Sequence, residues 1–204
     1  MKHLSLLAAL TVALMLSTTV ARADASPWAN SYQLEAAGKY ADALAALDSI
    51  PLNGPDAEFK TLRSAWLYYL QGSYNESIRE YRLAIERNSQ SLDARLGIIL
   101  PYFAQKRWRE AEQSARTALD FSPNNYIGLL RLTIAQEAEH DWKGMEKSAT
   151  TLTTVYPSDA TAYVYLARAQ AWLGNSSQAA AAYSAVLVRY PSDLEAKTYL
   201  SKNK

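Results

Sequence analysis

Hydrophobic and polar positions repeat along most of this chain with a period of about 34 residues. The string Tyr-Pro-Ser-Asp occurs at 156–159 and again at 190–193. A glycine-rich slot, a small-residue slot and an aromatic slot keep the same phase. In that order, the slots hold Gly38, Gly72, Lys106, His140 and Gly174, then Ala43, Ser77, Ala111, Met145 and Ala179, then Tyr40, Tyr74, Trp108 and Trp142. Such self-similarity predicts a tandem array of one structural unit.

Each unit has room for two helices of about three turns, a common helix length in globular proteins. Glycine at the turn between the helices allows positive φ, and proline ends the second helix because it cannot continue one. Ser158/Asp159 and Ser192/Asp193, which follow such prolines, are expected to cap the next helix. Pro101 instead falls inside a first helix, four residues after Gly97, and predicts a kink. The units span about 24–57, 58–91, 92–125, 126–159 and 160–193, and residues 194–204 predict a capping helix.

This pattern resembles the tetratricopeptide repeat family, of the exported type. The last unit matches the family pattern best, with Tyr163, Leu166-Ala167, Gly174, Ala179, Tyr183 and Pro191 at its positions. The third and fourth units depart from it at Lys106, His140 and Met145. The resemblance covers nearly all of the chain after Ala23. It implies an all-α, right-handed superhelical solenoid of five helix-turn-helix repeats, closed by the capping helix.

Residues 1–23 have the pattern of a cleaved secretion signal. Lys2 and His3 precede an apolar run from Leu4 to Leu16, and Ala21-Arg22-Ala23 forms a small-x-small cleavage site. Cleavage after Ala25 is the alternative. The run is too short for a membrane span of about 20 residues, and no cysteine follows it to carry a lipid. The sequence therefore predicts export to the periplasm or the medium, without a stable span and not as a lipoprotein.

Composition argues against several classes of function. Without residues 1–23 the chain keeps 19 of its 21 basic residues against 20 acidic ones, a formal net charge of −1, so it lacks the basic surface of a nucleic-acid binder. Cysteine is absent, which excludes thiolate chemistry. His140 would be the one remaining histidine, and no glycine-rich phosphate loop occurs. We therefore expect no cofactor, no metal site and no enzymatic activity.

The resemblance implies that the first helix of each unit lines a concave wall. Its expected partner-binding residues are Trp28, Tyr32, Phe59, Leu62, Arg63, Trp66, Tyr69, Leu96, Leu100, Phe103, Ile127, Arg131, Ile134, Tyr165, Arg168 and Trp172. Aromatic side chains with a few arginines are typical of interaction hot spots. Burial of these side chains in the core, or against a second copy in a homodimer, is the alternative.

The charges of this wall predict the charge of the partner. Arg63, Arg131 and Arg168 could each take a partner's carboxylate in a forked pair. The wall does not resemble the family's carboxylate clamp, because Phe59, Trp66, Asp93 and Leu100 occupy the slots of its lysines and asparagines. The aromatic slot, from Tyr40 to Trp142, is expected to pack between helices.

The sequence thus predicts a protein that binds a partner in the cell envelope. The favoured function is a periplasmic adaptor or assembly factor that holds a peptide or helix in an aromatic groove. Two alternatives remain: a chaperone-like binder of exported polypeptide ends, and a protein that binds a small ligand in the same groove.

Overall fold

The computed structural model describes residues 26–202, and every regular element in that range is an α-helix, which confirms the all-α class. The signal segment and both cleavage points expected from the sequence lie outside the described residues. The helices are α1 (Pro27–Ala36), α2 (Tyr40–Ala45), α3 (Ala57–Gln71), α4 (Tyr74–Arg87), α5 (Leu92–Gly97), α6 (Ile99–Ala104), α7 (Trp108–Phe121), α8 (Tyr126–Ala138), α9 (Trp142–Val155), α10 (Ala160–Trp172), α11 (Ser176–Arg189) and α12 (Leu194–Lys202).

The helices follow one another as hairpins in a tandem solenoid. Each packs against its neighbours in the chain, for example α3 against α4, α7 against α8 and α10 against α11. First helices of adjacent hairpins also touch, α3 with α5 and α8 with α10. One side of the solenoid is therefore a wall of first helices, as the resemblance implies.

The glycine slot forms the turn inside each hairpin. Gly38, Gly72 and Gly174 adopt left-handed backbone conformations with φ of 72°, 84° and 79°. Lys106 and His140, which replace glycine in the same slot, adopt φ of 57° and 59°. The turn geometry therefore persists where the sequence departs from glycine, and the two side chains there accept a conformation that L-residues disfavour.

Two acidic caps predicted from the sequence are confirmed. Asp159 Oδ1 accepts the Thr161 N–H at 2.9 Å, and Asp193 Oδ1 accepts the Ala196 N–H at 2.8 Å. Each carboxylate satisfies an amide that has no partner within its own helix, and a negative charge is favourable at that end. These caps fix the starts of α10 and α12.

The small-residue slot lies in the packed core. Its five members, from Ala43 to Ala179, are all fully buried. Ser77 adds a hydrogen bond from its hydroxyl to the Ala65 carbonyl at 2.8 Å, which ties α4 to α3. Large side chains such as Leu47, Leu67 and Leu152 fill the space that the small residues leave.

The kink predicted at Pro101 appears as an interruption between α5 and α6 at Ile98. Ile98 keeps helical dihedrals, and its N–H donates to the Ala94 carbonyl at 3.1 Å. Pro101 has no N–H to donate to the Gly97 carbonyl, and its ring crowds that turn. Because Pro101 is fully buried, the interruption is part of the packed core.

Candidate partner-binding groove

The sixteen residues expected to bind a partner all lie on the first helices of the hairpins. Four are exposed, namely Tyr32 at 49%, Phe59 at 45%, Ile127 at 39% and Trp172 at 67%. Eleven are half-buried: Trp28, Leu62, Trp66, Tyr69, Leu96, Leu100, Phe103, Arg131, Ile134, Tyr165 and Arg168. The wall therefore presents exposed apolar side chains from α1 to α10, on a base of partly buried ones.

A recess of about 310 Å³ opens at the α1–α5 end of this wall. Its lining residues are Tyr32, Glu35, Phe59, Leu62, Arg63, Trp66, Tyr81 and Asp93. Five of these eight belong to the set expected from the sequence. Glu35, Tyr81 and Asp93 do not: the sequence places Asp93 on the wall without a binding role, and it predicts neither Glu35 nor Tyr81 at this site.

Arg63 does not present its guanidinium to a partner, which corrects the role expected from the sequence. Its side chain is only 4% exposed and forms an ion pair with Glu35. Its Nε donates to Ser31 Oγ at 3.2 Å, and its guanidinium lies 3.8 Å from the centre of the Tyr32 ring. The Trp66 indole N–H donates to the same Glu35 at 2.9 Å. Arg63 and Glu35 thus form the floor of the recess.

Arg168 forms a forked pair, but with the chain's own α12. Its Nε and Nη2 donate to the two oxygens of Glu195 at 2.8 and 2.6 Å, and its Nη1 donates to Glu137 at 3.1 Å. The hydrogen bonds from Arg168 hold the pKa of the Glu195 carboxyl below its usual value, and those carboxylates raise the pKa of Arg168. The sequence-based expectation of a partner carboxylate at Arg168 is corrected accordingly.

Arg131 has no carboxylate within ion-pair distance in the described part of the chain. Its Nη1 donates to the Leu96 carbonyl at 2.5 Å, which links α8 to α5. Burial lowers the pKa of its guanidinium. A partner carboxylate here would compete with a backbone hydrogen bond and would have to enter a half-buried position, so the structure gives the predicted forked pair little support.

Tyr81 reaches the recess from the second helix α4 because Gly97 has no side chain. A Cβ at residue 97 would overlap the Tyr81 ring. The equivalent positions one repeat before and one repeat after Gly97 hold Arg63 and Arg131. Burial raises the pKa of the Tyr81 phenol to about 12. A glycine between Arg63 and Arg131 in the same slot is the sequence signal that could have revealed this substitution.

The aromatic slot packs between helices, as the sequence predicts, but its rings are only half-buried and lie at the edge of the groove. Trp142 stacks on Trp172 with ring centres 5.0 Å apart and planes 7° apart, and it also stacks with His140 at 5.2 Å. Tyr74 and Trp108 contact Tyr69 and Phe103 in tilted pairs. Aromatic contacts therefore form separate groups along the wall, and the last group includes the exposed Trp172.

Residues 26–202 contain neither a metal-binding cluster nor a membrane-spanning helix. Within residues 26–202, no three His, Cys, Asp or Glu side chains are grouped closely enough to hold a metal ion. No helix in that range combines the length and apolar character needed to cross a membrane.

Comparison with known proteins supports the repeat architecture. Two sequence models of the tetratricopeptide repeat match residues 62–126 and 161–193. A tetratricopeptide repeat protein from Parabacteroides merdae ATCC 43184 superposes with a TM-score of 0.72 at 16% identity, covering 85% of this chain and 69% of that one. MamA from Desulfovibrio magneticus RS-1 gives 0.70 at 12% identity, covering 80% and 93%.

A third similar structure is that of a protein described as having a peptide-binding site. YrrB, described as a tetratricopeptide repeat protein with an unusual peptide-binding site, gives a TM-score of 0.70 at 16% identity and covers 89% of this chain and 93% of its own. No curated protein matches the sequence. At such identities the structural matches establish the fold.

Proposed function

Because this chain is a tetratricopeptide-repeat protein, we propose that it is a non-catalytic interaction module that binds a peptide or helix of a partner protein along its wall of first helices. The observation that carries the proposal is the row of exposed apolar side chains on that wall, from Tyr32 and Phe59 through Ile127 to Trp172. Apolar surface gathered on one face favours a partner that covers it.

The extent of this row favours a polypeptide over a small ligand. The recess between α1 and α5 has about 310 Å³, the lower end of the size of small-molecule sites. Ile127 and Trp172 lie on α8 and α10, whereas the recess is lined from α1, α3, α4 and α5. A ligand confined to the recess leaves them uncovered, and a peptide that follows the wall covers them.

Selection from a displayed library of random 12-residue peptides on the purified protein, expressed from the full-length sequence, tests this function. We expect bound peptides to lose about tenfold or more in affinity for a Phe59→Ala/Ile127→Ala variant, because apolar burial contributes about 25 cal/mol per Å². A Leu52→Ala/Val188→Ala variant is the matched control, since both residues are exposed and apolar but lie away from the first helices. Equal losses of affinity in both variants would exclude the groove as the binding site.

The proposed site of action is the bacterial periplasm, where the protein would act as an adaptor or assembly factor for an envelope complex. The support is the N-terminal sequence, with its apolar run Leu4–Leu16 and the cleavage motif Ala21-Arg22-Ala23. Intact mass of the protein recovered from a periplasmic extract tests it. A mature chain that begins at Asp24 or Ser26 is expected, and an unprocessed chain in the cytosolic fraction would contradict export.

A further inference from the structure

We infer that the recess selects a basic side chain, lysine or arginine, in the bound peptide. This inference rests on the proposed function and adds the charge of the partner. It reverses the polarity expected from the sequence, in which arginines of the wall capture a partner's carboxylates.

The charged side chains that line the recess are Glu35, Arg63 and Asp93. Arg63 and Glu35 neutralise each other in an ion pair, and the Trp66 N–H adds a hydrogen bond to Glu35. Asp93 is exposed, and no hydrogen bond or ion pair from residues 26–202 reaches its carboxylate. The charges of the lining residues therefore sum to a net negative value, and Asp93 is the group among them that can offer this charge to a partner.

Two arginine groups could favour an acidic partner instead, and the geometry argues against both. Nη2 of Arg63 has no hydrogen-bond partner, but it has no exposed surface, and the guanidinium lies against the Tyr32 ring. Arg131 lies outside the recess lining and is half-buried, with Nη1 bonded to the Leu96 carbonyl. Among the residues that line the recess, Asp93 is the exposed charged side chain.

Aromatic rings line the same recess as Asp93 and add the second feature of a cation site. Tyr32 and Phe59 are about half-exposed, and Trp66 lines the same recess. Ring faces attract lysine and arginine through cation–π interactions. The long aliphatic stem of either side chain packs well on Phe59 and Leu62 while its charged end meets a carboxylate. The recess thus offers both parts that a basic side chain needs.

The repeat phase extends the inference to the sequence of the partner. Asp93 shares its slot with Phe59 and Ile127, one repeat away on either side, and all three are exposed. Packed helices lie about 8–10 Å apart, which an extended peptide spans in about three residues and a helix in about six. A bound peptide is therefore expected to carry a basic residue flanked by apolar ones at one of these spacings.

A double-mutant cycle on a peptide selected from the random library tests the inference. We expect enrichment of lysine or arginine between apolar residues. Asp93→Asn should weaken the selected lysine peptide about tenfold and leave its Lys→Gln counterpart unchanged, while Asp93→Glu retains most of the affinity. Asp120→Asn is the matched control, because Asp120 is an exposed carboxylate on the second helix α7. A melting curve for each variant confirms that the fold is intact.

Other outcomes separate the two proposals. Selected peptides that are acidic and depend on Arg131, as shown by an Arg131→Met variant, would overturn the basic preference and restore the polarity expected from the sequence. Neutral peptides that depend on Phe59 and Ile127 but not on Asp93 would also overturn it, while the proposed function stands. If the Phe59→Ala/Ile127→Ala variant binds the selected peptides as well as the wild type does, both the basic preference and the proposed function are wrong.

Discussion

Single residues set the fine geometry of this protein, and Gly97 is the clearest case. Its missing side chain makes room for the Tyr81 ring, which is only 4% exposed. Gly97→Ala is expected to lower the free energy of unfolding by about 2 kcal/mol, because overpacking a buried ring forces it off its preferred conformation. Gly54→Ala is the control, since no atom lies within 4 Å of a Cβ placed there. Urea denaturation measures both, and equal effects would contradict the packing argument.

The left-handed turns allow a second prediction at the residue scale. Lys106 adopts φ of 57°, in the slot where Gly72 has 84°. Lys106→Gly should raise the free energy of unfolding by about 1 kcal/mol, because it removes the side-chain strain of that conformation. Gly72→Ala should lower the free energy of unfolding by a similar amount. Thermal unfolding of the two variants measures both changes. A destabilised Lys106→Gly variant would show that contacts of the lysine side chain compensate for the strain of its backbone conformation.

At the scale of elements, one ion-pair network holds the last helix to the wall. Arg168 on α10 bonds to Glu195 on α12 and to Glu137 on α8. Glu195→Gln is expected to break the forked pair and speed hydrogen exchange in α12, with little change in α3 or α4. Glu86→Gln, at an exposed position on α4, is the control. Unchanged exchange in α12 would mean that packing of Ala196 and its neighbours is sufficient to hold the helix.

The same network has a pH dependence of definite sign. The folded-state pKa of Glu195 is lowered, chiefly by the hydrogen bonds from Arg168. Its contribution to stability is therefore complete above the unfolded-state pKa of about 4.3 and is lost as the pH falls through the lower folded-state pKa. Comparing wild type with Glu195→Gln in melts from pH 7 to pH 3 should show a stability gap that closes on acidification. A constant gap would contradict this linkage.

The helices also show which features the local sequence predicts and which it does not. The caps at Asp159 and Asp193 and the break near Pro101 follow from the sequence, because each depends on neighbouring backbone groups alone. The pairing of α10 with α12 through Arg168 does not, since Arg168 and Glu195 are 27 residues apart. Many acidic side chains lie at comparable separations, and only the packed helices select Glu195.

At the scale of the whole molecule, a solenoid lacks contacts between its ends, so stability is expected to be local. Leu47 belongs to a buried cluster that includes Leu67, and Val186 belongs to a separate cluster with Tyr183. Leu47→Ala should speed hydrogen exchange in α1 to α3, and Val186→Ala should do so in α10 to α12. Uniform acceleration along the chain in either variant would indicate one cooperative unit.

The sequence by itself determined the class of fold, the phase of the units and the first-helix wall, because a constant repeat period reports local geometry that each unit shares. Only the tertiary structure decided which charges of that wall are free. Arg63 pairs with Glu35 and Arg168 pairs with Glu195, each across neighbouring units, whereas Asp93 has no ion-pair partner within residues 26–202. Side chains from different helices meet according to the stacking of the units, and their burial depends on rings such as Tyr32 and Tyr81. For that physical reason the aromatic character of the groove was visible in the sequence, and the sign of its charge was not.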